Sequence, residues 1–144
     1  MTKRATATTR RRGNKYGAQA VYACDRCMQT ITNPDNHPSS CAGEPVRFHS
    51  KTEARYWLVL RVDERAGVIS GLKRQAAFPL YGAGPRNGKP VTTYYADFVY
   101  FDQYGDYRVI DVKGQDTRVS QLKRGFLQAE YGVTVELVTK GQGK

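Results

Sequence analysis

Residues 92–114 read TTYYADFVYFDQYGDYRVIDVKG, and two strands of the central sheet are predicted within this segment. Its two ends, residues 92–101 and 107–114, are rich in Tyr, Phe, Val and Ile, a composition typical of β-strands. Residues 102–106 separate them with Asp, Gly and other turn-forming types. The sequence therefore predicts an antiparallel hairpin whose five-residue loop is centred on Tyr104.

The predicted register of this hairpin brings two carboxylates together. If Phe101 pairs with Tyr107, then Asp97 lies opposite Asp111, and opposite residues share a face with Cβ atoms about 5 Å apart. Lys113, two residues after Asp111, projects from the same face. Strict alternation predicts that the neighbours of the three on that face are Tyr95, Val99, Val109 and Tyr107.

Such a carboxylate pair calls for a cation. Two ionised carboxylates in a half-buried sheet repel each other unless a cation lies between them or one is protonated. Mg²⁺ or Mn²⁺ with its bound waters suits this ligand set, and a lysine beside it suits phosphodiester hydrolysis. An alternative stays open at this point: a one-residue register slip would leave Asp111 and Lys113 as an ordinary salt bridge, with Asp97 facing solvent.

The flanking segments predict an α/β domain. A capping box at its start predicts a helix over residues 50–65, and the 117–131 segment predicts a second helix. Residues 68–80 predict two short strands separated at Gly71, and residues 133–138 a last strand. The resulting order is α-β-β-β-α-β, a central mixed sheet flanked by helices. The second helix is predicted from apolar residues at spacings of three and four, namely Val119, Leu122, Phe126 and Ala129.

A separate metal site is predicted in the polar segment 16–47, which has too little apolar periodicity to fold unaided. It contains a Cys-x-x-Cys pair followed by a histidine and a third cysteine. Four such ligands fit tetrahedral Zn²⁺, and closing the site supplies folding energy that a core does not. The predicted ligands are Cys24, Cys27, His37 and Cys41, with His49 as an open alternative to His37.

Basic residues are concentrated at the N-terminus. The 144-residue chain has a formal net charge of +10, and residues 1–15 carry six basic residues and no acid. We expect this segment to be a disordered arm that binds nucleic-acid phosphates; a solubilising tail or an organelle transit peptide are the alternatives. The predicted DNA-binding residues, which include two in the Gly- and Pro-rich loop 81–90, are Lys3, Arg4, Arg10, Arg11, Arg12, Lys15, Arg86 and Lys89.

Composition excludes several classes of protein. Hydrophobic residues make up 40% of the chain, which is enough for one packed domain and argues against wholesale disorder. The longest apolar run, Tyr56–Leu60, is far shorter than the roughly 18 residues that a membrane span needs. An odd count of three cysteines without a secretory signal favours a reducing compartment, so we expect a cytoplasmic protein without membrane association.

The order of motifs resembles the PD-(D/E)xK nuclease superfamily, and more narrowly the small phage-encoded endonucleases similar to Holliday-junction resolvases. The matching pieces are the helix with Ser-Lys-Thr-Glu53-Ala, the strand Tyr-Tyr-Ala-Asp97-Phe, and the strand Val-Ile-Asp111-Val-Lys113-Gly. They cover about residues 48–138. The sequence departs from the family in having Asp rather than Glu in the (D/E)xK motif, and Ala where the family name has Pro.

This resemblance implies a restriction-endonuclease-like core over residues 48–144 and a Mg²⁺-dependent (or Mn²⁺-dependent) endodeoxyribonuclease. It implies that Asp97, Asp111 and Glu53 bind the metal and that Lys113 positions or activates the water. Gln75 is expected to line the cleft. Branched or junction DNA is the expected substrate, a homodimer the expected assembly, and the host cytoplasm the expected location of a phage-encoded enzyme.

Two alternatives accompany the nuclease interpretation. Glu53 is also the N3 residue of the capping box, and this structural role explains it without any chemistry. The alternative function is a non-catalytic zinc module that binds DNA or RNA, in which the sheet is acidic for structural reasons.

Overall fold

The computed structural model describes residues 19–82 and 87–140, which form two sheets and two helices. In chain order the elements are β1 (Val21–Cys24), β2 (Gln29–Ile31), β3 (Val46–Phe48), α1 (Lys51–Arg65), β4 (Ser70–Leu80), β5 (Thr92–Phe101), β6 (Tyr107–Lys113), α2 (Arg118–Tyr131) and β7 (Val135–Thr139).

The larger sheet is mixed, as expected. Its strand order is β4-β5-β6-β7, with antiparallel neighbours except for the parallel pair β6–β7, which α2 connects. The smaller sheet is antiparallel, with the order β2-β1-β3. The prediction of an α/β fold with a central mixed sheet and two helices is confirmed.

The first predicted helix begins and ends where its capping signals indicate. Ser50 is the N-cap of α1, and its hydroxyl accepts a hydrogen bond from the Glu53 amide at 3.1 Å. The helix ends at Arg65, shortly before Gly67, whose φ of 74° suits glycine. Its buried face packs against both sheets, whereas two further apolar residues of the helix, Val59 and Val62, are nearly half exposed.

The second predicted helix is present, but its apolar stripe faces solvent. Thr117 caps α2, and Gly132 stops it in a left-handed conformation. Val119 and Leu122 are 64% and 62% exposed, whereas the fully buried residue of the helix is Leu127. The apolar spacing therefore predicts the helix correctly but does not indicate the face that packs on the sheet.

Two groups of buried side chains hold the sheet and helices together. The α1 cluster, between α1 and both sheets, comprises Val21, Ala23, Phe48, Ala54, Trp57, Leu58, Leu60, Ile69, Phe98 and Ile110. The α2 cluster, on the opposite face of the larger sheet, comprises Leu80, Tyr94, Ala96, Val99, Val109 and Leu127. The α1 cluster contains residues of the smaller sheet, such as Val21 and Phe48, and residues of the larger sheet, such as Phe98 and Ile110. The two sheets therefore share a core.

Two strand predictions need correction. One strand, β4 (Ser70–Leu80), replaces the two strands predicted within residues 68–80, because Gly71 with φ 65° absorbs a register shift between Ser70 and Lys73 within a continuous ladder. The polar segment 16–47 contains three short strands that we did not predict. Each has three or four residues, too few for alternation to show, and β1 finds its apolar partners far along the chain.

Strands β4 and β5 change faces at their midpoint. Along β5, Phe98 belongs to the α1 cluster, whereas Ala96 belongs to the α2 cluster although both positions are even. The paired strand does the same around Gln75, whose φ of 49° is unusual for a non-glycine residue in a strand. The pairing register is unchanged across this point, since Ala76 pairs with Ala96 as Arg74 pairs with Phe98. Gln75 therefore lies across from Asp97 at the switch.

No helix within the described ranges is long and apolar enough to cross a membrane.

Candidate functional site

The predicted hairpin register is confirmed, and it brings the two aspartates together. Phe101 pairs with Tyr107, and the ladder continues as far as Phe98 and Ile110. Beyond that point a side chain takes the place of a backbone acceptor: Asp97 Oδ2 accepts a hydrogen bond from the Val112 amide at 2.7 Å. Asp97 thus lies where β5 and β6 begin to separate, beside Asp111.

Asp111 is almost completely buried, with 1% of its surface exposed. Its Oδ2 accepts a hydrogen bond from the Tyr94 hydroxyl at 2.6 Å and lies 3.1 Å from Lys113 Nζ. The alternative of a register slip is therefore wrong in its geometry, although the ion pair it invoked is present. Asp97 is half-buried and hydrogen-bonded instead of facing solvent.

The two aspartates do not share a site comfortably without a cation. Burial raises the pKa of Asp97 to about 7, and the charge of Asp111 acts in the same direction. The hydrogen bond from the Val112 amide lowers it by less. A carboxylic acid with this pKa is only partly protonated at neutral pH. In the deprotonated fraction, Asp97 adds a second negative charge beside Asp111, and this charge favours a bound cation.

Glu53 joins this site through Gln75. Gln75 Nε2 donates to Asp97 Oδ1 at 3.1 Å and lies 3.5 Å from Glu53 Oε1, so its amide bridges the helix carboxylate and the strand carboxylate. Glu53 is buried, and burial raises its pKa. Its Oε2 accepts a hydrogen bond from the His49 amide at 3.3 Å, so this residue also has the structural role of a capping carboxylate.

Arg74 on β4 is a half-buried cation on which the charges of Glu53 and Asp97 both act. Its guanidinium lies 4.0 Å from the centre of the Phe48 ring and donates to the Arg47 carbonyl at 2.8 Å. Burial lowers its pKa, while the charges of Glu53 and Asp97 raise it. The contact with the Phe48 ring holds the guanidinium near the carboxylates. Among the described residues, Arg74 forms no direct ion pair with Glu53 or Asp97.

Tyr94 is the site residue that sequence reasoning missed. Alternation placed Tyr95 on the face of Asp97, but Tyr95 is 59% exposed and the buried Tyr94 contacts Asp111 instead. The prediction is wrong because β5 changes faces at Asp97. The expected neighbours Val99 and Val109 do lie in the α2 cluster with Tyr94, and Tyr107 stacks near Phe101 at the hairpin end.

The predicted cysteine and histidine ligands also converge. Ligand atoms of Cys24, Cys27, His37 and Cys41 all lie within 4.8 Å of one another. Cys27 Sγ is 3.4 Å from His37 Nε2, and Cys24 Sγ is 3.8 Å from Cys41 Sγ. The cysteines form no disulfide. This cluster can hold a structural metal such as Zn²⁺, with His37 as its histidine.

The alternative ligand His49 does not reach the cluster. Its side chain is largely exposed and its Nδ1 lies 4.0 Å from Glu53 Oε2. The single turn of 3₁₀-helix at Pro34–Asn36 instead directs His37 to the cysteines, and the Asn33 side chain caps this turn.

The surroundings of the cysteine–histidine cluster fit a bound metal. A Cβ at Gly43 would come within 2.7 Å of Cys24 Sγ, so only glycine leaves room for the sulfur there. The Gly43 amide donates to Cys41 Sγ at 3.4 Å. Burial alone raises the pKa of Cys24, but hydrogen bonds from the Cys27 and Arg26 amides and from His37 lower it to about 7, which favours the thiolate that a metal needs.

This metal cluster is tied to α1. Asp25 lies between Cys24 and Cys27, in the turn that joins β1 to β2. Its Oδ2 accepts a hydrogen bond from Arg61 Nε at 2.7 Å and lies 3.0 Å from Arg65 Nη2. The position of the ligands and the position of the helix that carries Glu53 are therefore linked.

The three carboxylates of the candidate active site lie farther apart than the ligands of the cysteine–histidine cluster. Within residues 19–82 and 87–140, the cysteine–histidine cluster is the only group of three or more His, Cys, Asp or Glu ligand atoms within 4.8 Å of one another. Glu53 is held apart from the aspartates by the Gln75 amide. Since Mg²⁺ is usually bound by one or two carboxylates and several waters, the Asp97–Asp111 pair is sufficient as its protein ligand set.

Most of the predicted DNA-binding residues lie outside the described part of the chain. These are Arg86 and the whole basic arm, with Lys3, Arg4, Arg10, Arg11, Arg12 and Lys15. Lys89 is exposed, beside the base of the loop.

A family profile described as "Protein of unknown function (DUF1064)" matches residues 41–141. The matched range contains the whole carboxylate site, and it begins at Cys41, the last residue of the cysteine–histidine cluster. No curated protein and no solved structure matches the chain significantly.

Proposed function

The chain belongs to the DUF1064 family, and we propose from the geometry of its site that it is a divalent-metal-dependent DNA endonuclease. The observation that carries this proposal is the pair of half-buried Asp97 and buried Asp111, with Lys113 Nζ 3.1 Å from an oxygen of Asp111. Two carboxylates and a lysine at the open end of two strands are the groups that phosphodiester hydrolysis with a hard metal needs.

The charge balance of the site supports the metal. Its carboxylates are Glu53, Asp97 and Asp111, and Lys113 pairs with the last of these alone. Oxygen ligands with surplus negative charge favour Mg²⁺ or Mn²⁺. In the proposal Asp97 and Asp111 bind the ion directly, and Glu53 completes the site when the Gln75 amide moves aside or through a bound water.

The residues of the chain then have distinct tasks. A Mg²⁺ held by Asp97 and Asp111 would supply Lewis acidity for the attack of water on the phosphate. Lys113 stabilises the negative charge that develops on the phosphate as water attacks in line with the leaving oxygen. Gln75 orients the Asp97 carboxylate by donating to Oδ1, while the Val112 amide holds Oδ2.

The topology supports a restriction-endonuclease-like core. The observed order α1-β4-β5-β6-α2-β7 is the order that the resemblance to PD-(D/E)xK nucleases implies. Each proposed catalytic residue lies on the element expected for it: Glu53 on α1, Asp97 on β5, and Asp111 and Lys113 on β6.

A cleavage assay tests the proposal. Purified protein is incubated with junction, flap, nicked and linear DNA in Mg²⁺, in Mn²⁺ and in EDTA. We expect metal-dependent cuts, loss of cleavage in Lys113→Ala, and near-normal cleavage in the matched control Lys123→Ala on α2. Binding without cleavage on every substrate would contradict the nuclease and favour the zinc-containing nucleic-acid-binding module.

DNA binding by the basic arm is a separate part of the proposal. Deleting residues 2–12 removes five basic residues and no residue of either core cluster. DNA affinity should fall, and the slope of log affinity against log salt should become shallower by about 0.9 for each phosphate that the arm neutralises. An unchanged slope would show that the arm binds no phosphates.

A homodimer is proposed because cutting both strands of a junction needs two active sites. Light scattering of the protein alone and with junction DNA measures the assembly. A single chain bound to a junction that is cut on both strands would exclude the dimer.

A further inference from the structure

Tyr94 is a buried residue whose hydroxyl contacts a carboxylate of the proposed active site. Only 4% of its surface is exposed, and its hydroxyl donates to Asp111 Oδ2 at 2.6 Å across 17 residues of sequence. A hydrogen bond from a neutral hydroxyl to an ionised carboxylate is short and comparatively strong.

We propose that Tyr94 is a positioning residue that fixes Asp111 for divalent-metal binding, an inference that rests on the proposed nuclease function. Tyr94 and Lys113 both contact Oδ2, and two partners on one oxygen restrict the rotation of the carboxylate. Oδ1 is thereby the oxygen presented to a cation shared with Asp97.

The fold holds the Tyr94 ring firmly in place. The ring belongs to the α2 cluster, packed with Ala96, Val99, Val109 and Leu127. It reaches Asp111 because β5 changes faces at Asp97, which turns even-numbered residues before that point toward α2. A tyrosine hydroxyl is protonated at neutral pH, so in its contact with the Asp111 carboxylate it acts as the donor.

Lys113 alone cannot replace this hydrogen bond during the reaction. Its side chain is partly exposed and flexible, and in the proposed chemistry its ammonium turns toward the phosphate. When that happens, Tyr94 is the donor that still holds Asp111 Oδ2. The pairing of a metal ligand with an outer hydrogen-bond donor is the arrangement that tunes metal affinity in many sites.

The test is Tyr94→Phe, which removes one oxygen and keeps the ring. By calorimetry in the absence of DNA, Mg²⁺ affinity should fall by about tenfold, within the range seen when such outer donors are removed. In cleavage assays the half-saturating Mg²⁺ concentration should rise by a similar factor, while the rate at saturating Mg²⁺ should change by less than about threefold. A purely structural role would lower stability and leave the Mg²⁺ dependence unchanged.

Tyr56→Phe is the matched control. Tyr56 is a partly buried tyrosine of α1 that packs against the α1 cluster, on the other face of the larger sheet from the α2 cluster that holds Tyr94, and its ring lies 5.8 Å from that of Phe98. Its substitution should leave Mg²⁺ affinity unchanged. In an Asp111→Asn background, Tyr94→Phe should have no further effect on metal binding, because the group it positions no longer carries a charge.

The outcomes separate this inference from the nuclease proposal. A wild-type protein that binds Mg²⁺ but cuts no DNA, with weaker binding in Tyr94→Phe, supports the role of Tyr94 and contradicts the nuclease. A wild-type protein that cuts DNA, with the same Mg²⁺ dependence in Tyr94→Phe, contradicts the role of Tyr94 alone. A wild-type protein without Mg²⁺ affinity overturns both.

Discussion

The cysteine–histidine cluster and the Asp97–Asp111 pair are two candidate metal sites built in opposite ways. The first draws its four ligands from residues 24–41, and their atoms already lie within 4.8 Å of one another. The second draws its groups from α1, β5 and β6, and its carboxylates are held by hydrogen bonds from the chain. One is a closed set of soft ligands and the other an open set of oxygens.

The difference indicates which site stabilises the protein and which can perform chemistry. A tetrahedral set of four protein ligands leaves no position for substrate, and its binding energy contributes to folding. Two neighbouring carboxylates, one buried and one half-buried, repel each other and lower stability until a cation binds. An ion held by two protein ligands keeps positions for water and phosphate. The predictions below test this contrast, beginning with the largest effect.

Removal of a cysteine ligand should have the greatest consequence. Cys24→Ser should abolish the binding of about one Zn²⁺ per chain and lower the unfolding temperature by roughly 10 °C or more, because metal binding contributes folding energy. Elemental analysis and thermal unfolding measure the two effects. Ser39→Ala, an exposed change in the same loop, is the control. Full metal content in Cys24→Ser would contradict the assignment.

A change in the carboxylate pair should act on function instead of folding. Asp111→Asn should slow cleavage by about 100-fold or more, since the metal loses an anionic ligand. The asparagine still accepts from Tyr94 and relieves repulsion with Asp97, so stability without metal should remain within about 1 kcal/mol of wild type. Stabilisation by added Mg²⁺ should disappear. A variant that is strongly destabilised yet cuts normally would reverse the contrast.

The pH dependence of stability should reveal the strain at Asp97. Because its folded pKa of about 7 lies above its ordinary value of 3.8, the protonated form favours the folded state, and this stability is lost as pH rises from about 4 through 7. Asp97→Asn should lack this loss and, at pH 8 without metal, should be more stable than wild type by on the order of 2 kcal/mol. Thermal unfolding across pH measures it.

The control for that experiment is Asp106→Asn, at an exposed position in the loop between β5 and β6, outside both sites. Its pH profile should follow that of the wild type. Mg²⁺ at pH 8 should stabilise the wild type and not Asp97→Asn. Parallel profiles for the wild type and Asp97→Asn would show that Asp97 carries no strain.

The smallest effects compare two glycines. Gly43→Ala places a Cβ 2.7 Å from Cys24 Sγ and should weaken Zn²⁺ binding and cost about 1–2 kcal/mol. Gly125→Ala, in α2 with nothing within 4 Å of the new Cβ, should stabilise the protein by roughly 0.5–1 kcal/mol. Chemical denaturation and metal titration compare the two variants. Equal effects would mean that the cluster tolerates a side chain at residue 43.

The sequence predicted those parts of the fold that depend on local rules. The hairpin register follows from the loop length and the alternation of strands, so the meeting of Asp97 with Asp111 was predictable. The capping box located α1, since Ser50 acts through a hydrogen bond within one turn, and the spacing of apolar residues located α2. Ligand spacing likewise predicted the cysteine–histidine cluster, with His37 rather than His49 decided only by the structure.

The remaining features depend on long-range packing. Gln75 adopts a left-handed conformation that no local residue type signals, and the resulting change of faces exchanges Tyr95 for Tyr94 beside Asp111. The strands of the small sheet were missed because Val21 and Phe48 gain their partners from α1 and the larger sheet. The exposed side of α2 was unpredictable for a similar reason, since periodicity reports an apolar stripe and not what covers it.

The backbone of β4 also bears on how this protein avoids aggregation. β4 is an edge strand of the larger sheet, and a regular edge eleven residues long would invite another chain to pair with it. Gly71 and Gln75 have positive φ, and Pro79 lacks an amide hydrogen, so the edge is interrupted at intervals of four residues. An incoming strand would find no long uninterrupted ladder. The left-handed conformation of Gln75, which places it beside Asp97, therefore also disfavours edge-to-edge pairing of β4 with a strand of another molecule.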